Sequence, residues 1–123
     1  MRWLVDGMNV IGSRPTGWWR DRPRAQRELI DELEALGAAT GDDVAVVFDG
    51  RPFELPGGGR VDVGFAAGRR GAADDAIAER VAGDTDPGSL TVVTSDSELA
   101  GRVRRAGADV VTSGSFRRRL DEG

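Results

Sequence analysis

The sequence contains no Cys, no His, no Tyr and no Lys, and all 17 of its basic residues are Arg. Without Cys there is no disulfide framework and no thiolate metal site. Without His there are no imidazole zinc sites and no His-assisted nucleophiles. Without Lys, Schiff-base chemistry and the phosphate-binding lysine of a P-loop are excluded. Any catalysis must therefore come from carboxylates, hydroxyls, amides, Arg or a bound ion. A carboxylate cluster around a hard cation such as Mg²⁺ or Mn²⁺ suits that set. No apolar run approaches the length of a membrane span, and the N-terminus lacks a basic-then-apolar signal. A soluble cytoplasmic protein is the expectation.

A chain of 123 residues suits one domain with one core, spanning 1–123. The net charge of −4 is unevenly distributed: residues 1–27 carry +4, residues 28–100 carry −11 and residues 101–123 carry +3. Such a chain can fold with both basic ends beside one acidic site, attracting a polyanion while a metal neutralises the acids. A well-solvated surface has the same composition.

Trp3-Leu4-Val5 reads as a buried strand that stops at Asp6. Gly7 is expected to free the backbone for a turn, and Asn9 adds a second oxygen-bearing side chain. Asp6 either caps the following short helix or occupies an active site at a strand end. Residues 14–24 form an Arg-rich loop with adjacent Trp18 and Trp19. One indole is expected to dock on the core. Arg14, Trp18, Trp19 and Arg20 together are candidates for RNA contact through stacking and phosphate pairing.

Apolar residues at Ala25, Leu29, Ile30, Leu33 and Leu36 predict an amphipathic helix from Arg24 to about Thr40, whose acidic face reads as solvated. Val44–Phe48 is a second strand ending in an acid, Asp49. Residues 51–60, with Gly57-Gly58-Gly59, read as a flexible linker, and 60–65 as an edge strand. Arg69 and Arg70 precede a helix over 72–82 with Asp74 and Asp75 in its first turn. Leu90–Thr94 is the third strand with an acid beyond it, in Ser95-Asp96. A helix over 97–106 and a strand over 108–112 follow. The chain then runs into a basic segment, 114–123, that includes Arg117 and Arg118. The alternation argues for an α/β fold with a mostly parallel sheet and helices on both faces. In such a fold Asp6, Asp49 and Asp96 gather at one sheet edge, with Asp74 or Asp75 presented by a helix start.

Val-Asp-Gly-x-Asn-Val-Ile at 5–11, Val-Val-Phe-Asp at 46–49, Ala-Asp-x-x-Ile at 73–77 and Val-Val-Thr-Ser-Asp at 92–96 together resemble the NYN domain in its YacP-like branch, a group of PIN-like nuclease domains. The resemblance covers nearly the whole chain. It implies a PIN-like three-layer α/β/α sandwich and a metal-dependent endoribonuclease or RNA-processing role. The family's acidic positions fall on Asp6, Asp74 and Asp96, with Asn9 and Ser95 as supporting polar groups and Asp49 at the second strand end. The implied cofactor is Mg²⁺ or Mn²⁺. The resemblance also implies that a ribosome or another partner presents the RNA; the residues themselves suggest a single strand, with bases stacked on Trp18 or Trp19 and phosphates neutralised by Arg14, Arg20, Arg69, Arg70, Arg117 and Arg118. Oligomeric state has no signature in the sequence.

Two rival readings remain. One is a non-catalytic RNA- or ribosome-binding module that retains the acids as remnants. The other is an Asp-nucleophile phosphatase of the haloacid-dehalogenase type. Against the latter, position 8 is Met where the second Asp belongs, and the usual lysine is absent.

Overall fold

The computed structural model describes residues 1–55 and 59–123. Residues 56–58, part of the Gly-rich run expected to act as a linker, lie outside the described residues. Five strands form one sheet: β1 (Arg2–Asp6), β2 (Asp43–Asp49), β3 (Asp62–Ala66), β4 (Leu90–Val93) and β5 (Asp109–Val111). Every pairing is parallel and the order is β3-β2-β1-β4-β5. β1 therefore lies at the centre, flanked by β2 and β4. The chain runs outward from β1 in one direction and then returns to its other side. That reversal opens a crevice at the carboxyl ends of the central strands.

The helices are α1 (Gly7–Gly12), α2 (Arg22–Thr40), α3 (Ala72–Ala82), α4 (Ser97–Arg105) and α5 (Ser113–Glu122). Strand alternation divides the interior into two cores. Trp3 and Val5 face one side, with Val10 and Ile11 of α1, Leu29 and Leu33 of α2, and Phe116 of α5. Leu4 faces the other, with Ala73, Ile77 and Val81 of α3 and Leu99 and Val103 of α4. Each fully buried Val, Leu, Ile or Phe contributes about 1.5–3 kcal/mol of transfer free energy. The result is a three-layer α/β/α sandwich around a parallel sheet. Among the described residues no helix is long and apolar enough to cross a membrane.

Local chemistry accounts for most element ends. Asp21 accepts from the Arg24 amide and caps α2, which starts at Arg22 with Pro23 in its first turn. The basic segment expected over 114–123 is a helix: Thr112 caps α5, and Phe116 and Leu120 lie on one face against the core. The acidic face of α2 is not merely solvated. Glu34 accepts from the backbone amides of Arg60 and Val61, at 2.9 and 3.3 Å, and so holds the approach to β3. Glu32 holds α5 through Arg117 at 2.6 Å.

Gly7 differs from its sequence reading. Its φ is not in the left-handed region, and it forms the first position of α1. What it supplies is space: a Cβ there would lie 2.4 Å from the Phe48 ring. Glycine lets the start of α1 rest directly on β2, which brings the end of β1 close to its neighbours.

Candidate active site

Asp6 ends β1 with only 5% of its surface exposed. It stands at the cap position of α1, yet its side chain accepts no hydrogen bond from that helix. Oδ2 instead accepts from the Thr94 hydroxyl at 2.9 Å, just beyond β4. The Thr94 oxygen in turn accepts from the Asp96 amide at 3.1 Å, which directs its proton towards Asp6. Capping is thus not the work of this carboxylate.

Burial pushes the Asp6 carboxyl from 3.8 up to about 6. The Thr94 hydrogen bond pulls it down, while the charges of Asp74, Asp49 and Asp96 add to the rise. Asp74 is raised too, by burial first and then by Asp96 and Asp49, against an opposing pull from Arg102. Asp6 and Asp74 thus both feel the charges of Asp49 and Asp96 at this edge.

Their oxygens are divided between structure and open space. Asp49 Oδ1 accepts from the Ala73 amide at 3.0 Å. Gly71, at the cap position of α3 with φ 82°, has no side chain to do this, so the end of β2 caps the helix from outside. Asp96 Oδ1 caps α4, accepting from the Glu98 and Leu99 amides at 2.9 and 3.1 Å. Asp6 Oδ1, Asp49 Oδ2, Asp96 Oδ2 and both oxygens of Asp74 make no hydrogen bond among the described residues. Among the described residues no three acids converge closely enough to form a ready ion cage. Hard oxygen donors spread along one edge fit a cation that keeps most of its water, as Mg²⁺ does, and not a dehydrated one.

Asn9 and Ser95 sit in a second network. Asn9 Oδ1 accepts from the Ser95 amide at 2.8 Å and from the Ser113 hydroxyl at 2.5 Å. The Ser113 amide donates to Ser95 Oγ at 2.9 Å. Ser113 is completely buried. The network ties α1, the end of β4 and the start of α5 together, so Asn9 and Ser95 hold the frame around the acids. Sequence reasoning missed Thr94 and Ser113. Thr94 carried a signal, as a hydroxyl at the end of a buried strand directly before Ser95-Asp96; Ser113 carried none.

Asp75 does not join the acids. It pairs with Arg69 and, at 2.8 Å, with Arg102. The basic residues divide in the same way. Arg117, expected at an RNA surface, is turned inward to Glu32 and to Asp121. Arg14 also pairs with Asp121. Arg20, Arg70 and Arg118 are exposed. Trp18 rests half-buried on the core, whereas Trp19 is 59% exposed and meets it edge-on. A groove of about 560 Å³ at the opposite edge of the sheet contains two internal ion pairs, Arg2 with Asp84 and Arg80 with Asp62.

The profile of the YacP-like NYN domain matches residues 3–123. Two solved structures of Rae1 (YacP) from Bacillus subtilis are similar to this chain. A mutant form is 26% identical with a TM-score of 0.81, the match covering 99% of this chain and 75% of the other. The second is 25% identical with a TM-score of 0.76, covering 99% and 74%. No curated protein matches the chain. The match runs over nearly the whole sequence and the fold agrees with it: the chain belongs to the YacP-like NYN domain family.

Proposed function

We propose that the protein is a metal-dependent endoribonuclease acting on single-stranded RNA in the cytoplasm. The observation that supports this most is the buried Asp6 at the centre of a row of acids, with its carboxyl raised by burial and by Asp74, Asp49 and Asp96. Such a row is costly unless a cation offsets it.

Asp6, Asp74 and Asp96 would hold Mg²⁺ or Mn²⁺, directly or through water, with Asp49 contributing its second oxygen. A bound ion of this kind supplies an activated water and positive charge beside the scissile phosphate. Thr94 keeps the Asp6 carboxylate oriented as an acceptor. Asn9 and Ser95 fix the spacing between the ends of β1 and β4. Exposed Arg20, Arg70 and Arg118 neutralise phosphates along the strand. Presentation of the RNA by a ribosome or another partner belongs to the same proposal.

A non-catalytic RNA-binding module is the second reading, favoured by the capping roles of Asp49 and Asp96. One experiment separates the two. Mn²⁺ binding is measured by calorimetry and RNA cleavage by gel, for the wild type, Asp6→Asn and Asp96→Asn. Metal binding and cleavage that both collapse in the variants support the nuclease. RNA binding without metal binding or cleavage supports the module.

A further inference from the structure

A groove of about 720 Å³ opens beside the acidic edge, on the β2–β3 side. Met8 of α1 and Trp18 of the short turn before α2 line it, and both rest on the hydrophobic core. Its lining is also basic, with Arg22, Arg51, Arg69 and Arg70. Asp49 is the only acid among the described lining residues, and it marks where the groove meets the candidate site.

The cations of this groove are not equally free. Arg22 donates to the Asp49 carbonyl at 2.7 Å, and Arg69 is committed to Asp75. Arg51 and Arg70 are exposed and make no ion pair among the described residues. The groove therefore brings together a flat aromatic surface, a thioether and two uncommitted guanidiniums. That combination matches a ligand with a flat apolar ring and an attached anion. Core contacts hold Trp18, and Trp19 meets it edge-on with ring centroids 5.9 Å apart, so the platform is already ordered. Trp19, though more exposed, does not line the groove.

We propose that this groove binds one unpaired nucleotide of an RNA strand whose neighbouring phosphodiester lies at the acidic row, a proposal that rests on the nuclease reading. The base lies against Trp18 and Met8, and its phosphate meets Arg51 and Arg70. A paired base cannot turn its face to an indole, so the groove selects single strands. It also divides the two tryptophans: Trp18 reads the base and Trp19 supports it.

The test is binding of a labelled single-stranded RNA of about ten nucleotides, in EDTA, followed by anisotropy over a range of salt. Trp18→Ala should weaken binding about tenfold, and Trp19→Ala by less. Arg51→Ala and Arg70→Ala should each reduce the salt slope by about 0.7, the release expected for one single-strand phosphate. Trp18→Phe keeps a ring on the core and should give an intermediate loss even where Trp18→Ala does not fold. The same RNA annealed to its complement should bind more weakly. A larger loss for Trp19→Ala than for the Trp18 variants, wild-type binding by Trp18→Phe with unchanged salt slopes in both Arg variants, or equal affinity for the duplex would overturn the proposal. Intact binding with no cleavage by the wild type in Mn²⁺ would count against the nuclease reading and leave the groove standing.

Discussion

Replacing Asp6 by Asn should stabilise the protein while removing its proposed chemistry. The rise of the Asp6 carboxyl from 3.8 to about 6 means that the folded state holds this proton more tightly than the unfolded chain. Below pH 3.8 the group is protonated in both states and contributes nothing. As pH climbs through the window from 3.8 to about 6, ionisation is easier in the unfolded chain, and the fold loses stability. At about 1.4 kcal/mol per pH unit, the loss reaches roughly 3 kcal/mol above pH 6 and stays there. Asn carries no charge, and its carbonyl can still accept from Thr94. For a domain of this size each 1 kcal/mol moves Tm by roughly 3–6 °C, so Asp6→Asn should melt on the order of 10 °C higher at pH 8 in EDTA. At pH 4 the two proteins should melt together. Circular dichroism melts at pH 4, 6 and 8 read the difference. Adding Mn²⁺ should narrow the gap at pH 8, because the ion stabilises only the ionised wild type. A variant no more stable than the wild type at pH 8, or a gap that does not change with pH, would refute this account of Asp6.

Other outcomes follow from the neighbouring contacts. Gly7→Ala places a Cβ 2.4 Å from the Phe48 ring and should cost about 1–3 kcal/mol, read as a lower urea midpoint. Asp49→Ala removes the external cap of α3 and should cost about 1 kcal/mol, whereas Asp49→Asn keeps an acceptor for the Ala73 amide; hydrogen exchange at the start of α3 separates the two variants. Thr94→Val deletes the bond that holds the Asp6 carboxyl down, so Asp6 should titrate above its wild-type pH, followed by NMR of the carboxyl carbon. Ser113→Ala unties Asn9 from α5 and should lower Tm by several degrees, since it leaves a buried acceptor short of a partner worth about 1–3 kcal/mol.

The sheet and three of its helices were legible because β1, β2 and β4 are unbroken apolar runs and α2 keeps a helical period. Four acids at one edge followed from that alternation. What each acid does there was not legible. Asp49 caps α3 through the Ala73 amide, 24 residues later, and nothing near it in the chain signals that partner. Asp6 occupies a cap position but answers to Thr94, which is 88 residues away. The helix α5 was hidden by Arg117-Arg118-Arg119. Its signal lay in Phe116 and Leu120, four apart, and in Thr112 three residues before Ser115. Arg117 looked like its neighbours but falls on the side of α5 that meets Glu32. Gly7 was read for its backbone freedom when its missing side chain was what mattered.

The bond between Asn9 and Ser113 joins residues 104 apart in the chain. During synthesis Asp6 and Asn9 emerge more than a hundred residues ahead of Ser113. Until then Asn9 has no partner in α5, and β1 still lacks its neighbour β4 for most of that time. The chain therefore carries its acids through synthesis as scattered surface groups. They acquire their shared frame only once α5 can dock.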